Sequence, residues 1–449
     1  MKQIKYLFLI TILLGALASC KKDKSNDVTL LKLDVKTTFD DENATFGFGL
    51  DKAEVTVINL VTNQSTKATS NASGTATFNN LSPGNYKITV VLTVAAADYN
   101  AKAGTNVQED IIYNGTISSQ SITQNTQANV MLKVGRVGDF VIKQIYYAGS
   151  NAANGAIFRD QFFEIYNNSN ETLYADSLYF AQVMGMSAAS SGIDLSKGFY
   201  QSNGQYDWTK SVGMNNPKAN TDYIYAKTMF MIPGTGKQYP LAPGKSIIIA
   251  ATALNHQAPY IGATGNPITV KDPSLTIDLS KADFEVYLGD VPGVNPLASD
   301  LDMPAVTNVK VIDNGSGRDL IIDNLGRDGL VIFKTAADVT KWPAYATPDV
   351  TTITPTTRIN TQIPVGVIID GVGLQHAVTA SRVPKRLIDV IDAGETFVPG
   401  GSYSSQSVVR KTSKVVNGRI VLKDTNNSTN DFGMLTKADP SKQPSSFIN

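Results

Sequence analysis

Short runs in which apolar and polar residues alternate recur along the chain and predict β-strands. The clearest runs lie at residues 28–35, 53–58, 75–78 and 86–90. Because successive side chains of a strand point to opposite faces, this alternation is typical of strands with one buried face. Turn-forming residues separate the runs; Gly84 follows Pro83, and we expect it to adopt a positive φ in a tight turn. The pattern predicts an all-β fold.

The first twenty residues have the pattern of a signal peptide. Lys2 and Lys5 precede an apolar run at 6–14, and small residues then lead to Cys20. This run is shorter than the roughly 20 residues that a membrane-spanning helix needs, so a signal peptide at 1–19 is favoured over a transmembrane helix. The order Leu-Ala-Ser-Cys resembles a bacterial lipobox, which implies lipid attachment at Cys20. Because the chain has 1 cysteine, an internal disulfide cannot form.

A polar segment follows the lipobox and predicts a flexible tether at 20–27. Residues 21–27 contain no apolar side chain that could join a core. The start of this segment, Lys21-Lys22-Asp23, partly resembles the export signal of surface lipoproteins in Bacteroidota. The resemblance implies an outer-membrane protein held by its lipid anchor. It leaves two locations open, the periplasmic face and the cell surface.

Residues 28–136 are predicted to form a first β-domain. The alternating residues 53–57 and the stretch 74–88, which contains Pro-Gly-Asn-Tyr, resemble carboxypeptidase-regulatory and collagen-adhesin B-type repeats. Members of that family are mostly spacers and stalks. The resemblance implies a transthyretin-like sandwich of seven strands in which Phe78 and Tyr86 pack between the sheets.

Residues 137–449 are predicted to form a second, larger β-domain. Its motifs are a Phe-Phe-Glu-Ile-Tyr-Asn strand at 162–167, a proline–glycine block at 230–249, an arginine strand at 407–411 and an Asp–Phe segment at 424–432. These motifs resemble those of lamin-tail domains. The resemblance implies an Ig-like β-sandwich.

The second region is much longer than a lamin-tail domain, and Tyr179-Phe180 stand where that family usually has a tryptophan. We assign the excess length to insertions at about 184–228, 256–283 and 343–361. Together with the lipobox, the two domains resemble a Bacteroidota lipoprotein family of unknown function, domain-of-unknown-function family 4876. That resemblance implies a fold and a location, and it names no reaction.

Composition narrows the choice of partners. The chain has 39 Lys+Arg and 39 Asp+Glu, and removal of the signal peptide leaves it close to neutral. A near-neutral chain has no excess positive charge with which to attract phosphate backbones. We therefore expect no nucleic-acid partner. The expected partners are the membrane, through the lipid anchor, and a glycan, a protein or an outer-membrane transporter.

The sequence contains no recognisable catalytic motif. Its only histidines are His256, in a predicted loop, and His376, at a predicted strand edge, and neither lies in a hydrolase or metalloprotease motif. We expect no enzyme activity and no cofactor. The alternative is a glycan hydrolase that uses paired carboxylates. Its candidate residues are Glu164, Glu285, Asp290 and Glu395. Alternation with Phe284 and Val286 predicts that Glu285 faces solvent, which disfavours this alternative.

Acidic turns offer a second kind of candidate site. They lie at 300–302, 313–319, 323–328 and 424–431. Carboxylate and amide oxygens suit calcium, but none of these turns has the ligand spacing of an EF-hand loop. Asp, Asn and Gly are also the ordinary residues of turns. Structural turns are favoured, and calcium binding stays open.

The first insertion is rich in aromatic residues and supplies the candidate ligand-binding residues, which are Tyr206, Trp208, Tyr223 and Tyr225. Aromatic rings beside asparagines are typical of binding surfaces. If the segment is extended, Tyr206 and Trp208 lie on one face. Alternatively, the rings form a small core inside the insertion. We predict a non-enzymatic module for binding, adhesion or transporter assistance.

Overall fold

The computed structural model describes residues 29–449 except 40, 63, 104–109, 136–139, 170 and 417. The predicted signal peptide, Cys20 and the tether 20–27 therefore lie outside the described residues. Within the described part of the chain, no helix combines the length and apolar character needed to cross a membrane.

The first domain is a seven-stranded β-structure. Its elements are β1 Leu31–Phe39, α1 Asp41–Ala44, β2 Glu54–Asn59, β3 Ser65–Thr69, β4 Thr75–Leu81, β5 Gly84–Val94, α2 Ala96–Ala103, β6 Ile111–Ile122 and β7 Thr126–Gly135. The strand order is β3-β2-β5-β6-β7-β1-β4. The pairing of β1 with β7 is parallel, and the other pairings are antiparallel. The seven predicted strands are confirmed.

Alternating residues of these strands build the core of the first domain. In β1, buried residues alternate with exposed or half-buried ones, and Phe78 and Tyr86 are buried in the same core. The prediction for Gly84 was wrong, because it opens β5 without a positive φ. Among the described residues of this domain, the left-handed positions are Gly47, Lys52, Gly74 and Asn80, with φ between 61° and 75°. At Gly74 a Cβ would lie 3.0 Å from the Thr37 carbonyl oxygen, so glycine fits this turn best.

The second domain contains the remaining strands. In chain order they are β8 Phe140–Tyr146, β9 Phe162–Asn167, β10 Leu173–Tyr174, β11 Tyr179–Val183, β12 Tyr223–Met231, β13 Pro240–Leu241, β14 Ser246–Ala250, β15 Tyr260–Ile261, β16 Pro267–Ile268, β17 Phe284–Glu285, β18 Thr307–Asn308, β19 Lys310–Asp313, β20 Gly329–Phe333, β21 Ala344–Tyr345, β22 Asn360–Pro364, β23 Ile368–Gly373, β24 Ser407–Arg410, β25 Thr412–Val416, β26 Arg419–Leu422 and β27 Phe432–Leu435. A short helix, α3 Ser428–Asp431, precedes the last strand.

Two seven-stranded sheets form the body of this domain. Sheet I has the order β21-β22-β12-β11-β20-β23, with β19 paired to β12, and sheet II has the order β18-β17-β14-β9-β8-β24-β27. Phe163 of sheet II meets Phe180 of sheet I with ring centroids 4.8 Å apart, and Phe180 stacks on Phe230 at 5.0 Å. The two sheets therefore pack face to face around one apolar core. The predicted all-β sandwich is confirmed.

Loops cover the outer faces of both sheets. Val339, Leu387 and Ile391 pack on the outer face of sheet I. Ile277 and Leu279, which lie in the predicted insertion 256–283, pack on the outer face of sheet II. Strands β8, β9, β11, β14 and β20 are consequently buried on both faces.

The first predicted insertion ends earlier than expected. Strand β12 begins at Tyr223 and pairs with β11 inside sheet I, so the inserted loop is 184–222. Tyr223 and Tyr225 therefore lie on a strand of the sandwich. Their alternation with Ile224 and Ala226 is part of the sheet pattern.

Candidate functional site

The loop 184–222 is folded by local hydrogen bonds that position Trp208. Tyr200 and Tyr206 form an isolated antiparallel bridge around a turn at Gly204, which has φ 83°. The 3-10 helix Trp208–Lys210 follows, and the Thr209 backbone N–H donates to the Asp207 carboxylate at its start. Asn220 joins the C-terminal end of the loop to its middle. Its Nδ2 donates to Asp207 at 2.7 Å, and its Oδ1 accepts from the Trp208 N–H at 2.8 Å.

Trp208 and Tyr225 form the centre of an aromatic cluster. Their rings are parallel within 10°, with centroids 3.6 Å apart, and Tyr206 meets the Trp208 ring edge-on at 5.9 Å. The Tyr225 hydroxyl donates to the Ala219 carbonyl at 3.1 Å and accepts from Gln362 Nε2 at 2.9 Å. Burial raises the pKa of Tyr225, so this hydroxyl stays neutral. The stack joins the inserted loop to strand β12.

The structure brings all four predicted ligand-binding residues together and divides them into two pairs. Trp208 is 7% exposed and Tyr225 is 1% exposed. Tyr206 and Tyr223 are half-buried at the edge of the same cluster. The segment is not extended at Trp208, but its ring still contacts that of Tyr206. Trp208 and Tyr225 thus have the geometry of the small-core alternative, while Tyr206 and Tyr223 reach the surface.

A small cavity lies beneath these rings and is lined by all four of them and by Arg386. Its volume is about 30 Å³, which is enough for one or two water molecules and too small for a sugar ring. A larger ligand could bind only on the outer surface of the cluster. Burial raises the pKa of Tyr206 to about 12, so its hydroxyl is neutral at physiological pH.

Arg386 is a buried member of this site that sequence reasoning missed. Its Nη1 donates to the Val183 carbonyl at 2.9 Å and lies 3.6 Å from Asp328. Nε of the same side chain is buried without a hydrogen-bond partner. Burial is the largest influence on the guanidinium and lowers its pKa, against the opposing effect of Asp328. Nothing local in the sequence marks this arginine, because Val183 and Asp328 are distant in the chain.

Most of the predicted acidic turns are paired with basic side chains of the protein. Asp323 accepts from Arg327 Nε at 2.8 Å, and Asp313 accepts from Arg358 Nη2 at 2.5 Å. The turn 424–431 surrounds Arg410, whose Nη1 donates to Asp424 at 3.0 Å. Arg410 Nη2 also donates to Asp370 at 2.6 Å. The predicted arginine strand and Asp–Phe segment therefore meet in a buried ion cluster.

Three buried acidic residues have no basic side chain as a partner among the described residues. Asp300, Asp319 and Glu285 are buried, and no basic side chain lies within 4.0 Å of them among the described residues. Oδ1 of Asp300 and Oδ1 of Asp319 have no hydrogen-bond partner. Burial raises the pKa of both Asp300 and Glu285 to about 7. No set of three His, Cys, Asp or Glu in the described part of the chain is arranged to hold a metal ion.

The predicted solvent exposure of Glu285 was wrong. Strand β17 lies inside sheet II, between β14 and β18, and Glu285 is 0% exposed. Its two carboxylate oxygens accept from the backbone N–H groups of Ala253 at 2.9 Å and Met303 at 2.6 Å. Alternation failed here because remote loops cover the outer face of the sheet.

The other three carboxylates proposed for hydrolysis do not converge on a cleft. Glu164 is buried against Lys143 with an N–O distance of 3.0 Å, Asp290 is exposed, and Glu395 accepts from Gln375 Nε2 at 2.9 Å. None of the four candidates lines the cavity beneath the aromatic rings or a second cavity beside β23.

Both histidines have structural surroundings. His256 lies in a loop, as predicted, and is 0% exposed, with Nε2 3.1 Å from the Thr252 carbonyl. Burial lowers its pKa to about 4, so the ring is neutral at physiological pH. His376 Nδ1 accepts from the Val378 N–H at 2.9 Å.

Comparisons with known families match two parts of the sequence. Residues 242–439 match the model of a family described as protein of unknown function (DUF4876). Residues 26–125 match the model of a prealbumin-like fold domain. No curated protein matches the chain.

Several solved structures are similar to the chain. A DUF4876 family protein from Bacteroides thetaiotaomicron VPI-5482 is 24% identical, with a TM-score of 0.48 over 90% of this chain and 94% of that chain. A DUF3823 family protein from Parabacteroides merdae ATCC 43184 is 13% identical, with a TM-score of 0.15 over 46% of this chain and 92% of that chain. The minor pilin of Streptococcus agalactiae is 9% identical, with a TM-score of 0.16 over 54% of this chain and 91% of that chain. These likenesses are too distant to transfer a function.

The family matches agree with the resemblances found in the sequence. Prealbumin is another name for transthyretin, the fold expected for the first domain, and the DUF4876 match covers most of the second. Residues 242–439 are thus similar to the DUF4876 family, and the segment that precedes them, residues 26–125, is similar to a prealbumin-like fold domain.

Proposed function

We propose that this protein is a non-enzymatic recognition module, held at the outer membrane by a lipid on Cys20, that binds a glycan or a protein through the outer edge of its aromatic loop. The lipobox supports the anchor, and the prealbumin-like domain supports a spacer role between membrane and binding site. If the bound protein is an outer-membrane transporter, this protein acts as its accessory module. The scattered placement of the four candidate carboxylates supports a function without catalysis.

The arrangement of the four aromatic residues carries this proposal. Trp208 and Tyr225 form a buried stack, and Asp207 and Asn220 fix the loop around it. Tyr206 and Tyr223 lie at the rim of that stack, where both residues are half-buried. Rigid tyrosines with one apolar face and one polar hydroxyl are common binding contacts, because little side-chain entropy is lost when they bind.

Polar side chains fix the position of the rim. Gln201, Gln205 and Lys385 line the site. Gln201 Nε2 donates to the Tyr206 carbonyl at 2.8 Å, Gln205 Nε2 donates to the Lys385 carbonyl at 2.6 Å, and the Lys385 ammonium pairs with Asp389. These contacts hold the backbone of the loop in place, so the apolar face of a sugar or of a protein loop can stack on rings of fixed position.

The test uses the mature chain without its lipid, residues 21–449, in a glycan array and in pull-downs from outer-membrane extracts. For any captured ligand, we expect Tyr206→Ala combined with Tyr223→Ala to weaken binding at least tenfold. Tyr174→Ala, which alters a half-buried tyrosine on β10, is the matched control and should bind normally. Unchanged binding by the double variant would exclude the aromatic edge as the contact.

Two further measurements test the other parts of the proposal. Cys20→Ser should release the full chain from the membrane fraction, and continued fractionation with membranes would contradict lipid anchoring. Incubation of the mature chain with any captured glycan should leave the glycan intact. Appearance of cleavage products that disappear in Glu164→Gln or Glu285→Gln would establish the hydrolase alternative instead.

A further inference from the structure

A second cavity lies beside strand β23, away from the aromatic loop. Its volume is about 180 Å³. Six of its lining residues are aliphatic or glycine: Val365, Gly366, Ile368, Ile369, Val390 and Ile391. Two polar residues, Asp370 and Asn426, complete the lining. The cavity opens to solvent on one side, where Gly366 is exposed and Val365, Ile369 and Val390 are half-buried.

The polar groups of the wall are engaged within the protein. Asp370 Oδ1 accepts from the Gly371 N–H at 2.8 Å. Its Oδ2 accepts from the Ile142 N–H and from Arg410 Nη2, both at 2.6 Å. The carboxylate therefore has its charge balanced by Arg410 and its oxygens already occupied. A ligand in this cavity gains contact with methyl and methylene groups and no charged partner.

We propose that this cavity binds one small, neutral, apolar molecule about the size of an aromatic ring. Size supports this choice, because the volume of about 180 Å³ is similar to that of an enclosed cavity of about 150 Å³ that takes up benzene in another protein. Chemistry supports it too, because aliphatic walls favour a group that loses no hydrogen bonds on leaving water. The site is independent of the aromatic loop and of the proposed recognition function.

The wall itself provides a way to block the site. A Cβ added to Gly366 would meet no atom within 4 Å, and Gly366 does not have a positive φ. Because Gly366 is exposed and lines the cavity, we expect Gly366→Leu to cover part of the cavity mouth without backbone strain. Gly192 also has open space at its Cβ and no positive φ, and it lies in the exposed 3-10 helix Ser190–Gly192. Gly192→Leu is thus the matched control.

The test measures toluene binding to the mature chain by calorimetry and by the shift in melting temperature. Toluene should bind saturably to the wild type and to Gly192→Leu and raise both melting temperatures. Gly366→Leu should weaken binding at least tenfold. If that variant fails to fold, Val390→Phe narrows the same cavity from another wall and replaces it.

Charged analogues make the test specific for the proposed chemistry. Benzoate and benzylammonium have nearly the same ring size, and both should bind at least tenfold more weakly than toluene. Absence of saturable toluene binding would overturn the proposal, as would equal affinity in the blocked variant. Tighter binding of benzylammonium would also overturn it, because it would show that Asp370 is available to a cation.

Discussion

The two domains are both built from strands, but they bury them differently. In β1 of the first domain, buried residues alternate with exposed or half-buried ones. In β8 and β9 of the second domain every residue is buried. The difference arises because loops of the second domain cover the outer faces of both sheets. Both sheets of the second domain therefore have an apolar core on each face.

The same difference extends to buried charge. Among residues 29–132 whose burial is described, the buried polar side chains are the uncharged residues Thr37, Asn43, Thr56, Asn59, Ser70, Thr89 and Asn114. The second domain buries charged side chains, including Lys143, Glu164, Asp370 and Arg410. A buried charge is tolerated only when it is paired or neutralised. We therefore expect the second domain alone to be sensitive to charge removal and to pH.

The largest effect should come from removing the central cation of the buried ion cluster. Arg410→Met leaves Asp370, Asp424 and Asp431 without their shared guanidinium. Loss of one partner from a buried ion pair costs about 3–5 kcal/mol, so we expect a loss of this size in the free energy of unfolding. Chemical denaturation measures it. Arg358→Met, which removes a partly exposed partner of Asp313, is the control and should cost about 1 kcal/mol or less. Equal costs for the two would contradict the importance of burial here.

The next largest loss of stability should come from truncating a side chain on the outer face of sheet I. Phe333 lies on the outer face of sheet I, is 0% exposed and stacks on Tyr179 with centroids 4.8 Å apart. Phe333→Ala should lower the free energy of unfolding by about 3 kcal/mol, as in a true core. Asn79→Ala, on the exposed side of β4 in the first domain, should change it by about 0.5 kcal/mol or less. A cost below 1 kcal/mol at Phe333 would mean that the covering loops open readily.

A third effect concerns pH. Burial raises the pKa of Asp300 to about 7, above its value in the unfolded chain. The stability that the protonated group contributes is then present below pH 4 and is lost as the pH rises from about 4 to 7. Asp300→Asn should remove this dependence and raise the free energy of unfolding at pH 8 by on the order of 2 kcal/mol relative to wild type. Denaturation at pH 5 and pH 8 measures the difference.

Asp176 provides a control of opposite sign. Burial alone would raise its pKa, but backbone N–H groups of Gly236, Gln238 and Tyr239 outweigh burial and hold the pKa below its ordinary value. The stability that the ionised Asp176 carboxylate contributes is present at neutral pH, and it is lost as the pH falls through the lowered pKa. Asp176→Asn should therefore destabilise the protein at pH 8. The idea of a protonated Asp300 would be wrong if Asp300→Asn were equally destabilising at that pH.

The sequence predicted the first domain well because its strands have one apolar face and local turns. It also predicted β9 and the strand at 407–410, but not that this strand and the Asp–Phe segment meet around Arg410. It missed the burial of Glu285, because the N–H groups that hold its carboxylate come from Ala253 and Met303 on separate loops. It missed Arg386 for the same reason. The local sequence pattern predicts which residues form a strand and which face of it is apolar. Whether the other face is also buried depends on segments far away in the chain.

The four aromatic residues of the candidate site show the same limit. In the structure, Tyr206, Trp208, Tyr223 and Tyr225 lie in one aromatic cluster, as their closeness in the sequence suggests. The sequence pattern could not show which of these rings are buried and which lie at the rim. That difference depends on the pairing of β12 with β22 and on the hydrogen bond from Gln362 to the Tyr225 hydroxyl. The predicted insertion also ran into β12, since aromatic residues suit a loop surface and a strand equally well.

The smallest effect tests whether the two domains are coupled. Lys87 of β5 lies 3.9 Å from Glu395, and the Thr116 hydroxyl of β6 donates to the Ala393 carbonyl at 3.1 Å. Burial is the largest influence on Lys87 and lowers its pKa, against the attraction of Glu395. A long ion pair that keeps some solvent contact contributes little, so a double-mutant cycle of Lys87→Ala and Glu395→Ala should give a coupling energy below about 1 kcal/mol. A coupling above about 2 kcal/mol would mean that the differently built domains unfold as one cooperative unit. Independent transitions in calorimetry, unchanged by either substitution, are the expected result.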